Sequence, residues 1–120
     1  MPSKAILIVD DDASLQTMLQ AALEFEGYHV VVAEDGQAAL EQTIAHQPAL
    51  ILLDLMMPRM DGATFVGELE ARGLRANLAI IVVSADRHAA ELVATMQVDG
   101  FIEKPFDIPL FLAEIARLVG

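Results

Sequence analysis

Polar side chains capable of chemistry recur in this chain at one kind of place, directly after a short apolar run. Asp10-Asp11-Asp12 follow Ala5-Ile6-Leu7-Ile8-Val9, Asp54 follows Leu50-Ile51-Leu52-Leu53, and Ser84 follows Ala79-Ile80-Ile81-Val82-Val83. Lys104-Pro105 come shortly after Gly100-Phe101-Ile102. Carboxylates gathered with few local cations are costly unless a cation is supplied from outside. A hard cation with oxygen ligands meets that need, and Mg2+ requires only a few carboxylates with carbonyls and waters. Asp12 has a simpler use as a helix N-cap, where aspartate is favoured and complements the helix dipole. Three acids in a row exceed what capping requires, so Asp10, Asp11 and Asp54 together suggest a metal site.

Other chemistries find little support. The chain has no cysteine, which excludes disulfides, thiolate nucleophiles and Cys-ligated zinc. His29, His46 and His88 are scattered without metal-ligand spacing and read as surface or strand-end residues. Ser84 sits in no G-x-S-x-G elbow, and no dinucleotide or P-loop motif occurs, Glu34-Asp35-Gly36 reading as a turn and helix entry. Seven Lys plus Arg against 18 Asp plus Glu leave a net charge of −11, which argues against nucleic acid and anionic membrane as partners. The first apolar run is too short for a secretory core or a membrane span, so a cytoplasmic compartment is expected.

The elements that must position these groups follow from the hydrophobic pattern. The apolar runs, with His29-Val30-Val31-Val32-Ala33 as the second in order, are mostly continuous and rich in Ile and Val. Strands covered on both faces read this way. Between them lie helical stretches. The first carries Leu15, Met18, Leu19, Ala22 and Leu23 on one face and stops near Glu26-Gly27; the second covers Gln37 to His46. The third runs from Gly62 to Ala71, the fourth from Arg87 to Gln97 with Ala89, Leu92, Val93 and Met96 on one face, and the last from Ile108 to Leu118. The six methionines fall mostly on apolar faces and read as core filler. With 55% hydrophobic residues in 120, one packed domain over residues 1–120 is expected. Five strand–helix units with right-handed crossovers give a (βα)5 α/β fold, a doubly wound parallel sheet. Its strand C-termini, where ligands bind in such sheets, hold all the groups named above.

Ile6-Leu7-Ile8-Val9-Asp10-Asp11, Asp54-Leu55-Met56-Met57-Pro58-Arg59-Met60-Asp61-Gly62, Val83-Ser84-Ala85 and Lys104-Pro105-Phe106 resemble, in order and spacing, the receiver domain of two-component response regulators, the CheY-like family. The resemblance covers essentially the whole chain and implies a flavodoxin-like sheet of order 2-1-3-4-5. It implies that Asp54 accepts a phosphoryl group from a sensor histidine kinase or a histidine phosphotransfer protein. It implies a Mg2+ held by Asp11 directly, by Asp10 through water, by Asp54 and by the backbone carbonyl of Met56. Ser84 would meet the phosphoryl group, Lys104 would pair with it, Phe101 would be the switch aromatic, and the Lys104–Pro105 bond would be cis. The altered surface would comprise the fourth helix, fifth strand and fifth helix, available to a downstream protein target.

Two departures from the family stand out. The segment from Ser84 to Phe101 is slightly short, with Val98-Asp99-Gly100 where a Gly-Ala pair is frequent, which implies a short or displaced fourth helix. Asp86 places an acid two residues after Ser84, near the expected phosphoryl group. The sequence stops right after the fifth helix, so no output domain is expected within it.

The leading reading is a phosphorylation-controlled binding switch that is not an enzyme beyond slow self-phosphorylation and self-dephosphorylation. The alternatives are a phosphate relay or sink without output, a scaffold, and a Mg2+-dependent phosphohydrolase. The last is disfavoured by the lack of a substrate cap. Partner choice is expected on the first helix, with Gln16 and Gln20 as exposed candidates.

Overall fold

The computed structural model describes residues 5–55, 61–76, 78–85 and 89–119. Five strands, β1 (Ala5–Val9), β2 (His29–Ala33), β3 (Leu50–Leu53), β4 (Ala79–Ser84) and β5 (Gly100–Glu103), alternate with five helices. These are α1 (Ala13–Phe25), α2 (Gly36–His46), α3 (Gly62–Ala71), α4 (Ala89–Met96) and α5 (Ile108–Val119). All four strand pairings are parallel and the order is β2-β1-β3-β4-β5, the CheY-like arrangement.

Alternation along each strand explains why both faces are covered. Leu7, Val9, Ile51, Leu53, Ile80 and Val82 pack with Leu40 of α2, Phe65 and Leu69 of α3 and Met96 of α4. Their neighbours Ile6, Ile8, Leu50, Leu52, Ile81 and Val83 pack on the other face with Leu19 and Leu23 of α1 and Phe111 and Ile115 of α5. The continuous apolar runs are therefore two interleaved half-cores. A buried Leu, Ile or Phe in such a layer contributes about 1.5–3 kcal/mol.

Part of the acidic excess is spent on helix starts. Asp12 accepts hydrogen bonds from the Ser14 and Leu15 amides, Asp35 from Ala38, Asp61 from Thr64 and Asp107 from Leu110. Each cap satisfies donors that a helix leaves orphaned and is worth about 1 kcal/mol.

As described, α4 has eight residues, the shortest of the five, and the anticipated start at Arg87 lies outside the described residues. The helices differ from expectation in one place. Met18 is not core filler: its side chain is 47% exposed. At 100° per residue, Leu15, Leu19 and Leu23 advance only 40° per step, and Met18 falls on the flank of that narrow stripe.

Candidate functional site

Strand register brings the first acids together. Val9 of β1 pairs with Leu53 of β3, so Asp10 and Asp54 leave the sheet side by side, and the Asp54 amide donates to the Val9 carbonyl at 2.9 Å. On the far side the Lys104 amide donates to the Ser84 carbonyl at 2.9 Å, continuing the β4–β5 ladder past its last pair. The Lys104–Pro105 peptide bond is cis. The Lys104 side chain crosses back over β4 and β3. Its Nζ lies 3.2 Å from Asp10 Oδ2 and 4.0 Å from Asp54 Oδ2.

One carboxylate oxygen each from Asp10, Asp11 and Asp54 lies within 4.8 Å of the others. Asp10 is 4% and Asp54 9% exposed, whereas Asp11 is open to solvent. Both oxygens of Asp10 are engaged, Oδ1 by the Asp12 amide at 2.9 Å and Oδ2 by Lys104. The exposed Asp11 is thus the carboxylate most accessible to an incoming ion. With Lys104 protonated, three carboxylates and one ammonium sum to −3 + 1 = −2, the charge a divalent cation would balance. A donor set made wholly of oxygens suits Mg2+.

Gly62, the first residue of α3, lets that helix approach the end of β3. A Cβ there would sit 2.8 Å from Leu55 Cδ2, 3.0 Å from Leu55 Cα and 3.2 Å from the Asp54 carbonyl. Ser84 is buried at the end of β4. Phe101 on β5 lies opposite Val82, half-buried against the core beneath α2, α3 and α4. Ser84 is two residues beyond Val82, so it and Phe101 share a sheet face. Met56 and Asp86 lie outside the described residues.

Gln16 corrects the sequence reading. It is half-buried, and its Nε2 donates to the Asp10 carbonyl and to the Ala33 carbonyl, the latter at 3.3 Å. Helical side chains lean toward the helix N-terminus, so a long amide one turn after the Asp12 cap reaches the strand ends. That offset was the available signal. Gln20 is also half-buried and donates to Glu24 Oε2 at 3.3 Å.

Residues 6–116 match the family model of the response regulator receiver domain. The response regulator MprA of Mycolicibacterium vanbaalenii is 36% identical over 116 residues, which is 95% of this chain and 49% of that protein. The chain spans about half the length of the curated relatives it matches. Among solved structures, the chemotaxis response regulator CheY4 of Vibrio cholerae superposes with a TM-score of 0.89 at 25% identity, covering 98% of this chain and 99% of that one. TrrA of Thermotoga maritima, solved in complex with Mg2+ and BeF, gives a TM-score of 0.85 at 28% identity, covering 96% and 98%.

Proposed function

The chain belongs to the response regulator receiver family, and on that premise we propose that Asp54 accepts a phosphoryl group from a phosphohistidine on a sensor kinase or a histidine phosphotransfer protein. The observation that carries this reading is the placement of the Asp54 carboxylate within 4.8 Å of the Asp10 and Asp11 oxygens, with Lys104 Nζ 4.0 Å away. An Asp54 oxygen forms the new bond to phosphorus while the bond from phosphorus to the imidazole nitrogen breaks, and the imidazole nitrogen takes up a proton. Such transfer depends mainly on positioning and charge neutralisation. The ammonium of Lys104 supplies positive charge on one side of the acceptor.

Asp10, Asp11 and Asp54, with the Met56 carbonyl, would hold Mg2+. When bound, the ion neutralises charge on the phosphoryl oxygens. The Mg2+–BeF complex of TrrA supports this assignment by similarity. With Lys104 and the Asp12 amide engaging Asp10, Asp11 would be the direct ligand and Asp10 would act through water.

We assign the output to α4, β5 and α5. Along β5, the turn after it and α5, a groove of about 520 Å3 is lined by Phe101, Glu103, Phe106 and Leu110 among others. Among the described residues no helix is long and apolar enough to cross a membrane; we place the domain in the cytoplasm. The test is incubation with acetyl phosphate and Mg2+, followed by intact mass and peptide mapping. One phosphoryl group on Asp54, absent from the Asp54→Asn protein, is expected. Undiminished labelling of that variant would overturn the assignment.

A further inference from the structure

We propose that Gln16 is a positioning residue for the cation site, its side-chain amide fixing the main chain from which Asp10 and Asp11 project. The inference rests on the reading that these acids hold a divalent cation.

The strand ends create the need. The Ala33 carbonyl, at the end of β2, accepts the Asp10 amide at 3.1 Å. Asp10 is the first residue beyond β1, where the regular ladder stops, yet it is 4% exposed. A carbonyl buried there requires a partner. Gln16 Nε2 carries two hydrogens, and its two acceptors are the Asp10 and Ala33 carbonyls. One neutral amide thereby ties α1 to the C-terminal ends of β1 and β2.

The consequence for the site follows from peptide planarity. The Asp10 carbonyl and the Asp11 amide belong to one rigid plane. Holding that carbonyl fixes the plane on which Asp11 is carried and so narrows the range of directions open to its exposed carboxylate. Lys104 and the Asp12 amide hold the Asp10 side chain, but among the described residues Gln16 is the side chain that bonds the main chain between the two acids. A neutral donor does this without adding a positive charge that would compete with the ion. Second-layer partners of metal ligands typically matter by one to two orders of magnitude in affinity.

The test compares Mg2+ affinity by calorimetry, and metal-free melting temperature, for the parent, Gln16→Leu, Gln16→Asn and Gln20→Leu proteins. Amide spectra first establish that each variant is folded. The expected result is a roughly tenfold weaker Mg2+ affinity for Gln16→Leu, a similar loss for Gln16→Asn, whose amide is one methylene too short, and none for Gln20→Leu. Parent-like affinity in both Gln16 variants overturns the proposal, even if their metal-free stability falls, because a purely structural bond would produce that pattern. Slower transfer from a phosphohistidine donor with unchanged affinity also overturns it and makes Gln16 a docking residue. A parent that binds no Mg2+ instead overturns the cation-site reading itself, and the inference with it.

Discussion

Lys104 and Asp10 form an ion pair of 3.2 Å between positions 94 apart in sequence, the ammonium spanning two intervening strands to reach the acid. The contact ties the last strand to the first at the sheet edge where the carboxylates gather. It also partly offsets their repulsion. On the proposed reading Mg2+ and Lys104 would act on the same carboxylates, and each would lessen the effect of losing the other.

Replacing Lys104 by Met leaves the nearly buried Asp10 without its ammonium. Metal-free stability should fall by about 1–3 kcal/mol, the cost of stranding a buried polar group. The added stability from Mg2+ should in turn exceed that of the parent, because one positive charge has left the cluster. Thermal melts with and without Mg2+ measure both quantities. An equal Mg2+ increment in parent and variant would mean that lysine and ion do not share these ligands.

The Asp11→Ala protein should lose the Mg2+ response. With a dissociation constant of roughly 1 mM, 10 mM Mg2+ stabilises the parent by about 1.4 kcal/mol through mass action. The variant should show almost none of this gain and should gain no phosphoryl mass from acetyl phosphate. Calorimetry that finds parent-like binding would remove Asp11 from the ligand set.

Gln97 follows α4 with φ of 54°, a left-handed conformation that costs a residue with a Cβ about 1 kcal/mol. Its side chain is exposed, and its carbonyl accepts from Arg75 Nη2 at 3.1 Å, a contact glycine would keep. Gln97→Gly should therefore stabilise the fold, raising the melting temperature by roughly 3–5 °C. A lower melting temperature would show that the left-handed residue is not strained.

These examples mark what the sequence made legible. The first residues of all five strands could be read, because each strand opens an apolar run, almost wholly buried in β1, β3 and β4. β1 and β3 end where an aspartate begins. Parallel topology places both strand ends on one edge, but the register that sets Asp10 beside Asp54 is seen only in the structure. Contacts set by tertiary geometry were less accessible. The Gln16 amide meets the Ala33 carbonyl across 17 positions, and Arg75 meets Asp99 across 24. Met18 shows the same limit from the other direction, since helical period alone does not say how wide a stripe the sheet covers.

The final expectation concerns transmission from the site. Ser84 is 2% exposed at the end of β4, and Phe101 lies opposite Val82 on the next strand and on the same sheet face. A phosphoryl group on Asp54 offers new acceptor oxygens, and a hydroxyl that moves to meet them leaves space beside the β4–β5 pair. Close packing favours filling that space. The half-buried Phe101 ring is placed to enter it, at the cost of rearranging the chain around α4 and β5. Binding of fluoroberyllate and Mg2+ to the parent should accordingly shift amide signals across residues 84–106. The Ser84→Ala protein should still take the phosphoryl mimic, since Asp54, Asp11 and Lys104 remain, but its shifts should contract toward the immediate site. The comparison is a pair of amide spectra for each protein, with and without the mimic. If parent and variant shift equally from Ala89 to Phe101, the hydroxyl does not drive the ring, and a phosphate relay becomes the better description of the domain.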